Sequence, residues 1–216
     1  MNVAGGSSRH SGQAVEATGR QARKDAARND ILKHASRRFR GDGLAASGVR
    51  ALMADAGLTH GTFYSHFGSR SALIAAAVGA AAVETCESLK RATDNAPPGT
   101  GFDALVAAYL SPLHVDHMDL GCAAAALAPE IARESDESRR SFRGGVDLLV
   151  TLMAKLLPEG GTADERLDRS YAIFGGMIGC LQLARVYAGE PRADCILKEG
   201  RRAALKLSRS PWNEGL

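Results

Sequence analysis

Apolar residues recur every three or four positions along most of the chain, and this spacing constrains the fold more than any other feature. Between residues 21 and 40, for example, the recurring apolar positions are Ala27, Ile31, Ala35 and Phe39, with basic side chains on the other faces. Alternating runs of β-branched residues, which strands require, are nearly absent. The sequence therefore predicts an all-α fold of about nine helices.

Length and composition exclude several classes of protein. The 216 residues are 45% hydrophobic, which is enough for a sizeable core, and no window approaches the roughly 18 to 20 uninterrupted apolar residues of a membrane span. The first residues, MNVAGGSSRHSGQ, lack the apolar stretch of a secretory signal. The four cysteines, at positions 86, 122, 180 and 195, form no C-x-x-C pair. We expect a soluble, cytoplasmic protein without disulfides.

The charge is unevenly divided along the chain. Residues 1–70 carry 11 basic and 5 acidic side chains and four of the six histidines, whereas residues 71–216 carry 16 basic and 19 acidic side chains. The net charge is thus +6 in the first part and −3 in the second. A one-sided positive field attracts polyanions such as DNA, although an Arg-rich terminus is often only a solvated tail.

Glycines divide the first 70 residues into short helical units. Residues 1–20 are Gly/Ser-rich and are predicted to be a disordered arm. The amphipathic helix at 21–40 ends at Gly41 and Gly43, and shorter helices follow at 49–56 and 60–67, separated by Gly57 and capped by Thr59. Two helices joined by three residues that include a glycine are typical of a helix-turn-helix domain, which we assign to residues 21–70.

The second short helix, HGTFYSHF, has an unusual composition. Phe63 and Phe67 lie four residues apart and can face inward. The outward face then consists of His60, Gly61, Thr62, Tyr64, Ser65 and His66, with neither Lys nor Glu. Hydroxyls and imidazoles suit phosphate oxygens and base edges, and a glycine allows close approach of the backbone. The pattern therefore favours a DNA-reading helix over an ordinary solvated face.

These residues carry a family resemblance. The stretch GVRALMADAGLTHGTFYSHFGSRSAL resembles the N-terminal DNA-binding domain of the TetR family of transcriptional regulators, with the pattern AG-(V/L)-(S/T)-x-G-x-x-Y-x-(H/Y)-F-x-S-(K/R). The resemblance is strong over residues 25–75 and rests on length and helical character elsewhere. It implies a three-helix DNA-binding module followed by a helical domain that dimerises and binds a small effector.

The resemblance also implies roles for particular residues. It places Thr59, Tyr64 and His66 on phosphates and His60 and Thr62 close to bases, with Gly61 beside them in the same helix. Arg50 occupies a position that often reaches the major groove, and Arg70 one that commonly contacts the backbone phosphate. Two residues depart from the family: His60 stands where Lys is frequent, and Gly48 stands near a position often occupied by Ser or Thr.

Residues 71–216 are assigned to an effector-binding and dimerisation domain. Its helices are predicted at about 69–91, 102–115, 120–134, 135–157, 164–187 and 191–208. Gly175, Gly176 and Gly179 lie within one helix, where each costs roughly 1 kcal/mol relative to Ala. Another backbone that approaches closely would explain them, and the resemblance implies a helix of a partner chain. A contact within the chain is the alternative.

An effector pocket is expected among the central helices of this domain. Its candidate lining residues are Phe102, Tyr109, Leu110, His114, Met118, Cys122, Phe142, Met153, Phe174 and Met177. Most of them suit a hydrophobic core as well as they suit ligand contacts. Together they predict an apolar cavity with few polar groups, which fits a hydrophobic or aromatic small molecule.

The sequence therefore predicts a homodimeric, TetR-like repressor that a small molecule releases from a palindromic DNA operator. One alternative is a thiol-based electrophile or redox sensor, because Cys122 follows Gly121 as in some sensing repressors of the family. Activation instead of repression and non-specific DNA binding also remain open. An enzyme or a helical adaptor protein is disfavoured, because no nucleophile motif or phosphate loop is present and the outward helix face lacks apolar anchors. No metal or other cofactor is indicated, although His114 and His117 lie three residues apart.

Overall fold

The computed structural model describes residues 8–55, 57 and 60–212, with side chains described for 19, 21–48, 50–54, 57 and 63–212. Within these residues the secondary structure is entirely helical. The α-helices are α1 (Ser8–Asp42), α2 (Val49–Asp55), α3 (His60–Phe67), α4 (Arg70–Asp94), α5 (Gly101–Tyr109), α6 (Pro112–Asp116), α7 (Ala123–Ile131), α8 (Asp136–Leu156), α9 (Ala163–Val186) and α10 (Pro191–Ser208). A short 3-10 helix, Met118–Leu120, joins α6 to α7.

The N-terminal helices enclose a small core of their own. Ile31, Ala35 and Phe39 of α1 are buried, as their four-residue spacing predicts. They pack with residues of α2 and α3, with the first half of α4 and with Leu127 and Ile131 of α7. The helix-turn-helix is therefore joined to the rest of the chain by packing as well as by sequence.

The larger core lies between α4, α5 and the long helices α8, α9 and α10. It includes Leu105, Val150, Phe174 and Leu181, all buried. By length and composition α4 could cross a membrane, but half of its most apolar window is buried inside the protein. That burial is typical of a core helix.

Local capping explains where several helices begin. The Ser69 hydroxyl accepts a hydrogen bond from the Ala72 N–H at the start of α4, and the Ser135 hydroxyl accepts from the Ser138 N–H in α8. Thr162 and Glu165 form a reciprocal capping box at the start of α9. Helix α8 therefore begins at Asp136, within one residue of the start predicted from the sequence.

Two stretches differ from the sequence prediction. The predicted arm at 1–20 is helical from Ser8, in continuity with the packed part of α1, and residues 1–7 lie outside the described residues. Helix propagation costs little once a packed segment has nucleated the first turn, and no proline interrupts this stretch. The single helix predicted at 102–115 is divided between α5 and α6, because Ser111 caps a new helix that has Pro112 in its first turn.

Candidate nucleic-acid interface and ligand cavity

The turn between α2 and α3 has the geometry that a helix-turn-helix requires. Gly57 has a φ of 65°, in the left-handed region that glycine adopts most readily, and its N–H donates to the Ala54 carbonyl at 3.0 Å. This bond ends α2 and directs the chain into α3 three residues later. The turn has the spacing that the sequence predicts.

Helix α3 is anchored by its two phenylalanines. Phe63 and Phe67 are buried, and their ring centroids lie 6.1 Å apart in a stacked arrangement. Tyr64 is 58% exposed, and Ser65 is exposed beside it. His66 is half-buried, and its Nδ1 has no hydrogen-bond partner among the described residues. Phe63, Phe67, Tyr64 and Ser65 follow the predicted inward and outward positions, whereas His66, predicted to face outward, is half-buried.

Other predicted DNA contacts stand differently. Arg50 is exposed at the start of α2. Arg70 is half-buried; its Nη2 donates to the Leu44 carbonyl at 2.6 Å, and its Nη1 lies 3.4 Å from Glu134. Arg70 thus ties the loop after α1 to the segment that follows α7, a role that the sequence did not indicate.

The remaining predicted contacts fall at the start of α3. Thr59 lies outside the described residues. His60, Gly61 and Thr62 belong to α3, but their side chains are not described. Their assignment to DNA therefore stays a prediction from the sequence.

A cavity of about 390 Å³ opens beside the larger core. Residues of α4, α5, α6 and the segment 117–122 line it, and they include Glu84, Leu89, Tyr109, His114 and Cys122. Most of the wall is apolar, with hydroxyl groups from Ser88 and Ser111. The volume falls within the range of small-molecule sites, roughly 300 to 1,000 Å³.

Only part of the predicted pocket lines this cavity. Tyr109, His114 and Cys122 do, but seven other predicted lining residues lie elsewhere. Five of the seven are buried in the larger core, where α5, α8 and α9 pack together: Phe102, Leu110, Met153, Phe174 and Met177. Phe142 lies between the two cores, and Met118 is exposed. Helical spacing marks which residues are buried but does not distinguish a packed interior from the wall of a cavity.

His114 is held by the backbone on both sides of its ring. Nδ1 lies 2.7 Å from the Tyr109 carbonyl, and Nε2 accepts from the Cys122 N–H at 2.9 Å. These bonds assign the proton to Nδ1 and leave the ring neutral. Burial is the main reason that the pKa of His114 is lowered to about 4; the Tyr109 bond raises it, and the guanidinium groups of Arg185 and Arg40 each lower it by a smaller amount. The ring therefore holds the backbone of Tyr109 and Cys122, two residues of the cavity wall, in place.

The buried side chain of Tyr109 lines the cavity. Its hydroxyl lies beside the Cys122 thiol, a weak acceptor, and has no other hydrogen-bond partner among the described residues. Burial raises the pKa of this hydroxyl well above its ordinary value, and the neighbouring Cys122 thiol contributes to the rise. Tyr109 is therefore protonated at physiological pH, and its hydroxyl is a donor without a strong acceptor.

Arg185 stands behind this wall. Its Nη2 donates to the His114 carbonyl at 3.1 Å and would lie only 2.8 Å from a Cβ at Gly121. A Cβ there would also meet the His114 ring at 2.7 Å, so the wall can close this tightly only over a glycine.

Arg40 connects the cavity wall to α1. The guanidinium is buried, and it donates to the Gly121 carbonyl at 2.8 Å and to the Glu84 carboxylate at 2.9 Å. Both acceptors belong to residues that line the cavity. The sequence shows an arginine near the end of an amphipathic helix, but it indicates neither the burial of this arginine nor its partners, which lie 44 and 81 residues away.

A second connection runs from the end of α7. The Glu130 carboxylate accepts from the Leu44 N–H at 2.8 Å, in the turn that follows α1. Because Cys122 in the cavity wall directly precedes α7, this one short helix adjoins the cavity at its start and contacts the helix-turn-helix domain near its end.

The three glycines of α9 face away from the rest of the chain. Among the described residues, no atom lies within 4 Å of where a Cβ would stand on Gly175, Gly176 or Gly179. Leu183 and Val186 continue the same face and are 55% and 80% exposed. A helix contact within the described chain, the alternative explanation of these glycines, is therefore not present.

Comparisons with known proteins agree with this architecture. Residues 31–77 match the model of the bacterial regulatory proteins of the tetR family. No curated protein matches the chain significantly by sequence.

Solved structures match over most of the chain. NemR of Escherichia coli, in its reduced form, is 17% identical with a TM-score of 0.67, covering 82% of this chain and 96% of its own. A TetR-family regulator from Streptomyces coelicolor is 18% identical with a TM-score of 0.65, covering 95% and 96%. A TetR-family regulator from Cytophaga hutchinsonii is 14% identical with a TM-score of 0.70, covering 88% and 98%.

At these identities the solved structures establish the fold, and the match over residues 31–77 establishes the domain that carries α2 and α3. Residues 31–77 therefore match the tetR family of bacterial regulatory proteins, and the chain shares its fold with solved TetR-family transcriptional regulators.

Proposed function

We propose that the protein is a cytoplasmic, homodimeric repressor that binds a palindromic DNA operator through α3 and is released by a small apolar ligand. The exposed polar face of α3, fixed from behind by Phe63 and Phe67, is the observation that carries this proposal. With Arg50 exposed on the preceding helix, this surface offers hydroxyl, imidazole and guanidinium groups to phosphates and base edges.

The exposed face of α9 supports the dimer. Small residues at 172, 175, 176 and 179 lie on one side of the helix and are followed by exposed Leu183 and Val186. An exposed apolar face of this kind is typical of an interface, and glycines allow two backbones to approach closely. A two-fold axis through this face would repeat α3 at about 34 to 36 Å or a multiple, which matches successive turns of DNA.

The contacts of Arg40 and Glu130 support release by a ligand. Arg40 joins the helix-turn-helix domain to the cavity wall, and Glu130 joins the same domain to α7, which directly follows that wall. A ligand that shifts Gly121 or Glu84 changes the hydrogen bonds of Arg40 directly. A coupling of about 1 to 3 kcal/mol, the usual range, weakens DNA binding roughly 5- to 150-fold.

Selection of bound fragments from random double-stranded DNA tests the proposal. We expect a palindromic consensus, and Tyr64→Ala and Arg50→Ala should each weaken binding to it by about tenfold or more. Arg91→Ala, which removes the same charge from an exposed site on α4, is the matched control and should bind as the wild type does. Wild-type affinity in both test variants would show that α3 and the start of α2 are not the reading surface. A steep salt dependence without sequence preference would indicate a non-specific DNA-binding protein instead.

A thiol sensor is the second candidate, because Cys122 lies in the cavity wall beside the Tyr109 hydroxyl. One solved relative in fold, NemR, is described in a reduced form. Treatment with N-ethylmaleimide distinguishes the two modes of release. A sensor loses DNA binding in the wild type and in Cys195→Ser but keeps it in Cys122→Ser, whereas a repressor released by reversible binding does not depend on Cys122 in this way.

A further inference from the structure

We propose that the cavity beside Tyr109 binds a neutral, largely apolar molecule whose carbonyl-type oxygen accepts a hydrogen bond from the Tyr109 hydroxyl. This inference deepens the proposed effector role of the cavity and rests on it. It names the chemistry of the ligand: an aromatic or aliphatic body with one uncharged oxygen acceptor.

The Tyr109 hydroxyl carries the argument. It belongs to a side chain that is 1% exposed and lines the cavity, and apart from the Cys122 thiol beside it, a weak acceptor, it has no hydrogen-bond partner among the described residues. A buried donor without a partner costs free energy comparable to a lost hydrogen bond, so a ligand oxygen at this point recovers that cost. A ligand without an acceptor leaves the donor unsatisfied.

Most other polar groups of the wall are engaged within the protein, and Ser88 and His117 are exposed to solvent. Both nitrogens of His114 bond to the backbone, so the ring presents neither a free donor nor a positive charge to the cavity. The Glu84 carboxylate is half-exposed at its side chain and is paired with Arg40. His117 is exposed at the rim. The Tyr109 hydroxyl is therefore the group that distinguishes ligands with an oxygen acceptor from ligands without one.

The surrounding charges decide the charge of the ligand. Arg40 is paired with the Glu84 carboxylate, so its charge is largely offset. Arg185 stands behind the wall without such a partner among the described residues, and its field disfavours a cation beside Tyr109 and favours the negative end of a carbonyl dipole. A carboxylate is disfavoured for a different reason. Arg185 is covered by Gly121 and His114, so a buried anion would meet one hydroxyl donor and no direct counter-ion.

The test uses four naphthalenes that differ only at position 2: acetyl, ethyl, carboxylate and aminomethyl. Calorimetry measures their affinities for the full chain in the absence of DNA, and DNA binding is measured separately in the absence of ligand. A failure of ligand recognition is therefore distinguishable from a failure of DNA binding. We expect the acetyl compound to bind at least about tenfold more tightly than the carboxylate and the aminomethyl compounds.

A double-mutant cycle then isolates the hydroxyl. The ratio of acetyl to ethyl affinity should fall about five- to tenfold in Tyr109→Phe, because that substitution removes only the donor. Differences in hydration between the two ligands are the same for both proteins, so they cancel when the ratios are compared. Tyr187→Phe, an exposed tyrosine at the end of α9, is the matched control and should keep the wild-type ratio.

Three results would overturn the inference. They are an unchanged ratio in Tyr109→Phe, tighter binding of the carboxylate or the aminomethyl compound than of the acetyl compound, and no binding of any of the four at millimolar concentration. The comparison of the four compounds in the wild type stands even if Tyr109→Phe does not fold.

Discussion

His114 illustrates how far a single side chain can be understood from the sequence. Its position three residues before His117 suggested a metal site as one interpretation, because both rings could share a helical side. The structure instead commits both ring nitrogens to the backbone of residues 109 and 122. Those partners are set by the chain reversal between α5 and α7, which a local pattern does not contain. The caps at Ser69 and Ser135, by contrast, depend on residues within three positions and were predictable.

The lowered pKa of His114 predicts an acid-sensitive fold. Its pKa is about 4 in the folded protein and about 6.5 when unfolded, so the unfolded chain binds more protons between these values. The contribution of His114 to the free energy of unfolding is complete above pH 6.5 and is lost as the pH falls toward 4. The loss is at most about 3.5 kcal/mol, since one pKa unit corresponds to about 1.4 kcal/mol.

Urea unfolding at pH values from 4 to 7.5 measures this effect. In His114→Gln, whose side chain does not titrate, the slope of stability against pH should be reduced between pH 4 and 6.5. His117→Gln removes an exposed imidazole from the same segment and should keep the slope of the wild type. Equal slopes in all three proteins would mean that His114 is not held neutral by its surroundings.

Among the elements, α7 has the most consequential position, because it connects the cavity wall to the turn after α1. The sequence predicted that residues 120–134 are helical, and Ala-rich composition was sufficient for that. It did not predict that Glu130 would satisfy the backbone of residues 44 and 45, because that contact spans more than 80 residues.

Removal of the Glu130 carboxylate should loosen the turn after α1. In Glu130→Ala the Leu44 N–H loses its acceptor, and a hydrogen bond to a charged group contributes about 1.5 to 3 kcal/mol. Hydrogen exchange at the Leu44 and Ala45 amides should therefore become faster by about tenfold or more, since 1.4 kcal/mol corresponds to a factor of ten. Glu87→Ala, at an exposed site on α4, controls for the loss of charge. Exchange rates that match this control would show that Glu130 does not hold the turn.

The contacts of Arg40, near the end of α1, predict coupling between the two halves of the molecule. Arg40→Met removes the bonds to Gly121 and Glu84 while retaining much of the aliphatic packing. A ligand that releases the wild type from DNA should then change the DNA affinity of this variant much less. Arg91→Met, at an exposed site on α4, should respond to the ligand as the wild type does. Full release of Arg40→Met by the ligand would exclude Arg40 from the coupling.

At the scale of the whole molecule, the helical fold and the position of α3 follow from periodicity, glycine placement and the motif in residues 48–73. The cavity does not, because it depends on how α4, α5, α6 and the start of α7 meet. The α9 glycines are intermediate: the sequence indicated that another backbone should approach them, and the described chain provides none. A second copy of the chain is the partner that we propose.

The mass of the complex with the selected DNA fragment tests the central claim most directly. Sedimentation should give two chains on one palindromic duplex for the wild type, and for Val83→Asp as a control at an exposed apolar site on α4. Leu183→Asp, which places a charge on the exposed face of α9, should sediment as a monomer and lose most of its affinity for the fragment. A single chain that binds the fragment with full affinity, in the wild type or in Leu183→Asp, would contradict a repressor that reads DNA with two copies of α3.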